Sequence, residues 1–158
     1  MPLSLPDNLN HAVQAHNRLT VTGLRGSSPS LLISLLSTTA SCCIVPDEHQ
    51  LAVVEEDLRL FTDRRILTYP AYEIPPYTPL SPDRPTSGAR LATLYQLLAA
   101  DAPFILIISA EALLRRVMPK NLLAGSAELI MAGEDYAQDE LIATLLHAGY
   151  EQVSLVQE

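Results

Sequence analysis

Apolar residues follow two rhythms along this chain. Unbroken apolar runs of strand length alternate with stretches in which apolar residues return every three or four positions. That layout predicts an α/β fold, a mostly parallel sheet flanked by helices. "LTVT", Leu19 to Thr22, reads as the first strand. Ser28 is placed to cap the helix that follows, with Pro29 in its first turn and Leu31, Leu32, Leu35 and Leu36 as its buried stripe. "CCIV", ending at Val45, is a second strand. Asp47 and Gln50 then have capping-box spacing, and Leu51, Val54, Leu58 and Phe61 repeat at helical intervals while Glu55, Glu56 and Arg59 can face water. "RILTY" is a third strand.

From Tyr69 to Gly88 lie half of the prolines. They predict an extended surface loop, because proline lacks an amide donor and disfavours helix in the residue before it. Ser87 reads as the cap of a helix facing inward through Leu91, Leu94, Tyr95 and Leu98. "FILIIS", Phe104 to Ser109, is the clearest buried strand, followed by a short helix in "AEALLRRVM" that Pro119 interrupts. The texture then changes. "AELIMAG" reads as a strand and Asp135 with Gln138 as a second capping box. Leu141, Ile142, Leu145 and Leu146 form a helix face, Gly149 is its stop, and "YEQVSLVQE" reads as a last strand.

Composition narrows the function classes. A formal net charge of -8, with no block of like charges, argues against a large nucleic-acid footprint. The 2 cysteines, Cys42 and Cys43, are adjacent, which suits buried strand residues better than converging metal ligands. No basic, apolar leader opens the sequence and no run is long enough to span a bilayer, so a cytoplasmic location is expected. His11, His16, His49 and His147 are scattered, without acidic or cysteine neighbours at ligand spacing. No metal site is expected.

The stretch "LTVTGLRGSSPSLLISLL" has the layout of a phosphate-cradling loop between strand and helix. A working loop reads G-x-x-x-x-G-K-[ST], with the lysine neutralising phosphate oxygens and the hydroxyl binding magnesium. Here Gly26-Ser27-Ser28 falls at its end, so the hydroxyl survives and the lysine is lost. The first glycine should be residue 21, which is Val21, and Gly23 stands at the wrong spacing. No acidic residue ends the best buried strand, whose tip is Ser109, with Glu111 already in the next segment. Gly23, Gly26, Ser27 and Ser28 therefore read as an inactive relic. No catalytic residue and no bound cofactor are expected.

Five segments together resemble the N-terminal region of the bacterial transcription-repair coupling factors (Mfd): "TVTGLRGSSPSLL", "YPAYEIPPYTPLSP", "SGARLATLYQLL", "ISAEALLRRVMP" and "LIATLLHAGYEQVSLVQE". The aromatic-proline loop followed by S-x-x-R-L-x-x-L, and the terminal L-x-x-A-G-Y-x-x-V, are the most specific. The resemblance implies a degenerate P-loop NTPase-like domain similar to domain 1 of UvrB, over residues 19–123. An extension, 1–18, precedes it, and the first part of a small α+β module that docks UvrA, 124–158, follows. UvrB's working phosphate loop and its long aromatic hairpin for probing damaged DNA are both missing. The family's full protein is an ATP- and magnesium-dependent DNA translocase that removes stalled RNA polymerase and recruits UvrA for nucleotide excision repair. The resemblance places its motor, and its UvrA-contacting arginines, beyond residue 158, so no contact residue transfers.

Two rivals stay open: a divergent nucleotide hydrolase using Ser27 and Ser28, and a UvrB-like DNA-damage-binding domain. Tyr69, Tyr72 and Tyr77 with their prolines read either as a binding loop or as a loop packed back on its own domain. Arg115, Arg116 and Lys120 form the compact basic patch, read first as a solvated helix end.

Overall fold

A computed structural model describes residues 7–36, 39–75, 77–126, 133, 135 and 137–153. Its chain divides into two compact units, Met1–Arg116 and Val117–Glu158. In chain order the first holds α1 (Asp7–Ala15), α2 (Ser28–Leu36), β1 (Ser41–Val45), α3 (Glu48–Phe61), β2 (Arg65–Tyr69), α4 (Arg84–Leu98), β3 (Phe104–Ser109) and α5 (Ala110–Leu113). The second holds α6 (Lys120–Ser126) and α7 (Gln138–His147). The α/β expectation holds: the strands form a three-stranded sheet in the order β1-β3-β2, with both pairings parallel. "FILIIS" takes the centre, where a strand covered on both faces needs apolar side chains at every position.

Alternation along β3 sends its side chains to two cores. On one face Ile105 and Ile107 meet Val45 and the Leu51, Val54, Leu58 stripe of α3, with Ile33 from α2 beside them. On the other face Ile108 packs with Tyr69, Ala71 and Ala112, beside Leu94 of α4. α3 starts as its sequence predicts, with Asp47 at the cap accepting the Gln50 amide at 2.8 Å.

Several elements depart from the pattern. Residues 19–22 form no strand. Leu19 and Val21 stay 39% and 37% exposed, and among the described residues the segment has no ladder partner to satisfy its backbone as a strand. α1 forms within the segment expected to be a plain extension. In α2 the buried residues are Ser30 and Ser34, not the leucines, because small side chains let this helix lie close to α3 while Leu31, Leu32, Leu35 and Leu36 sit half-buried at its flanks. Cys42 is exposed and Cys43 half-buried, since β1 is an edge strand on which Cys43 faces the Val45 core while Cys42, like the 62% exposed Ile44, lies on the opposite face. α4 begins at Arg84, capped by Asp83, which accepts the Thr86 amide at 2.8 Å, and not at Ser87. Pro85 sits in its first turn, where a missing amide costs nothing. Its buried residues are Arg90 and Thr93, whereas Leu91 and Tyr95 are exposed.

In the second unit, Ala137 is the N-cap of α7, without a side-chain bond, and Asp135 lies too far upstream to serve. The C-terminal stop at Gly149 is as predicted. Its φ of +93° suits glycine alone, and the Gly149 and Tyr150 amides donate back to the carbonyls of Leu146 and Leu145 at 3.1 and 3.0 Å. Residues 150–153 are not strand. The strands expected at 127–133 and through 154–158 lie outside the described residues except for Gly133. α6 was not legible in the pattern.

Candidate functional site

The loop from Gly23 to Ser28 is shaped by its glycines. Gly23 has φ +84° and Gly26 +54°, left-handed values that side chains rarely adopt. Gly26 turns the chain so that Ser27 becomes the effective cap: its carbonyl accepts the Leu31 amide at 3.0 Å. Ser28 does not cap forward. Its hydroxyl donates back to the Arg25 carbonyl at 2.7 Å and accepts the Arg25 amide at 2.7 Å, while its own amide donates to that carbonyl at 3.2 Å.

One residue of the site gave no sign in the sequence. Asp57, 30 positions away on α3, accepts the Ser27 hydroxyl on Oδ1 at 2.8 Å and the Ser30 hydroxyl on Oδ2 at 3.1 Å. Ser30 is 1% exposed, so Asp57 supplies the partner its buried hydroxyl requires. Asp57 is three residues past Val54 and one before Leu58, a position that periodicity assigns to neither core nor solvent. The structure thus brings Ser27 to a carboxylate, keeps Gly23 and Gly26 on the exposed loop with Arg25, also exposed, and places Ser28 half-buried at the start of α2.

A second cluster fixes the proline loop. Arg90 is 2% exposed, and its guanidinium lies 4.1 Å from the Tyr69 ring centroid and 4.2 Å from that of Tyr72. Its Nη1 donates to the Pro70 carbonyl at 2.5 Å, while Nε is buried without a partner. The flat guanidinium suits this place between two rings. Burial pushes the Tyr69 phenol above its ordinary pKa; Arg90 opposes the rise and Tyr72 adds to it. Further along the loop, the Ala71 amide donates to Glu48 Oε1 at 3.0 Å and Arg115 Nη2 donates to the Ile74 carbonyl at 2.8 Å. Arg115 is therefore an anchor and not part of a solvated basic patch. Arg116 is exposed, and Lys120 begins α6 in the other unit. Tyr69 and Tyr72 pack back onto their own domain, and Tyr77 stands fully exposed. The S-x-x-R-L motif marked Arg90 by resemblance, but only the fold gives it a role.

Among the described residues no cluster of three histidine, cysteine or acidic side chains could hold a metal ion, and no helix is long and apolar enough to cross a membrane. Burial raises the thiol pKa of Cys42, and burial with the neighbouring Cys42 raises that of Cys43, so neither is an activated nucleophile.

No family model matches the chain. It is similar to proteins named transcription-repair-coupling factor from three bacteria. Identity is 28% over 156 residues, or 92% of this chain, with that of Myxococcus xanthus. With that of Escherichia coli K12 it is 32% over 115 residues, or 73% of this chain, and with that of Bacillus subtilis 168 it is 28% over 141 residues, or 86%. The matched regions amount to 13%, 10% and 12% of those proteins, so the chain spans about a tenth of its relatives' length.

Proposed function

Because this chain carries a region like that of the transcription-repair coupling factors, we propose that it is a contact module of transcription-coupled nucleotide excision repair, acting by recognition and not by turnover. In this reading it contributes to UvrA recruitment and restrains a parent DNA translocase until RNA polymerase is engaged. ATP and magnesium belong to that translocase's motor. The observation that carries the proposal is similarity running through 92% of the chain, across both units.

The loop geometry supports the silent half of the reading. A triphosphate needs free amides and positive charge at residues 23–28. The Ser28 amide is already given to Arg25, Pro29 has none, and the Ser27 hydroxyl is held by a carboxylate. An anion brought within about 4 Å of Asp57 would meet roughly 4 kcal/mol of repulsion per unit charge at an effective dielectric of 20, against about 1 kcal/mol for one new neutral hydrogen bond. Repulsion wins. Calorimetric titration of the chain with ATP and magnesium tests this: no heat of binding is expected up to millimolar nucleotide, and micromolar affinity would defeat the reading.

A further inference from the structure

We propose that the tip of the proline loop, Tyr77 with Leu80, is a prebuilt contact for a shallow apolar groove with a basic rim on a partner protein. The inference rests on the contact-module reading and names the surface that does the contacting. The base of the loop is tied to three separate segments of the domain, through Glu48, Arg90 and Arg115. Those ties end at Ile74. Beyond it the Thr78 hydroxyl donates to the Pro75 carbonyl at 2.9 Å, and prolines at 75, 79 and 82 restrict the backbone.

On this fixed base Tyr77 is fully exposed and Leu80 is 63% exposed. Tyr77 is also, among the described residues, the one non-glycine with left-handed backbone, at φ +65°. Such a conformation opposes folding, and the fully exposed ring buries nothing against the described residues to offset it. Strain of this kind concentrates at functional sites. An aromatic side chain on a backbone restricted by prolines and the Thr78–Pro75 bond loses less entropy on docking than one on a free loop, which is the character of interface hot spots. Exposed Glu73 and Asp83, the latter capping α4, flank the tip against a single exposed cation, Arg84, on a chain of net charge -8, and that negative balance favours a groove rimmed by lysine or arginine.

Glycine at position 77 separates function from stability. Tyr77→Gly removes the ring and relieves the left-handed strain, so its melting temperature should stay level or rise by about 1–3 °C. The 158-residue chain is titrated separately against purified UvrA and purified RNA polymerase. At least one should bind, with affinity falling about tenfold in Tyr77→Gly and in Tyr77→Ala, and less in Leu80→Ser. If Tyr77→Gly binds as the unaltered chain does, the tip is not the contact and the contact-module reading survives. If neither protein binds the unaltered chain, both fall. A dimer in light scattering that Tyr77→Ala dissolves would also overturn the proposal, because the groove would then belong to a second copy.

Discussion

Replacing Asp57 by alanine strands two hydroxyls, one of them on the buried Ser30. An unsatisfied buried hydroxyl costs about 1–3 kcal/mol, so Asp57→Ala should lower the urea-unfolding free energy by about 1–2 kcal/mol. Ser30→Ala added to it should recover part of that loss, because the orphan is then gone. Equal losses from the double and the single variant would deny the bond its structural role. Arg90 is more expensive to remove: Arg90→Met keeps volume but forfeits two ring contacts and the bond to Pro70, an expected loss of about 2–4 kcal/mol in the same measurement. Tyr69 sets an alkaline limit. Its folded pKa lies above the ordinary value near 10, so the folded state favours the neutral phenol. That contribution is complete below the unfolded pKa and is lost as pH rises through the folded one. Stability should therefore decline above about pH 10, and Tyr69→Phe should flatten that decline when melting is followed from pH 8 to 11.

At the scale of elements, helix starts divide by whether the cap is local. Asp47 and Asp83 each accept an amide three residues ahead, an interaction complete within one turn of chain. Asp47→Ala and Asp83→Ala should each cost about 1 kcal/mol by chemical denaturation. Asp47 was legible because gap and helix start coincide. Asp83 was not, because Ser87 offered an equally good residue one turn later, and packing against β2 chose the longer helix. α2 teaches the same lesson about faces. Its leucines and Ile33 are the apolar residues, yet Ser30 and Ser34 are buried, because close approach to α3 favours small side chains whose hydroxyls find partners, the Asp57 carboxylate for Ser30 and the Leu31 carbonyl, at 2.7 Å, for Ser34. "LTVT" has strand composition and no strand, since a ladder needs a neighbour and none stands beside it among the described residues.

For the whole molecule the two units differ in how much they bury. The first has a sheet between two apolar clusters; in the second, Leu123 is buried but α7 has no buried residue among those described. Elements with little buried apolar surface open at low free-energy cost. Amide exchange should accordingly be complete in residues 138–147 while the amides of 104–109 remain protected. Protection of α7 equal to that of β3 would contradict this ordering.

The amino-acid sequence by itself determined what depends on neighbours in the chain: three strands, the α3 stripe, the Asp47 cap and the Gly149 stop. Each is settled by propensity, periodicity or covalent geometry within about a dozen residues. Tertiary structure alone decided the rest. Asp57 meets Ser27, Arg90 enters between Tyr69 and Tyr72, and Tyr77 is left outside, because packing compares side chains that the chain holds tens of residues apart. Local pattern carries no record of that competition.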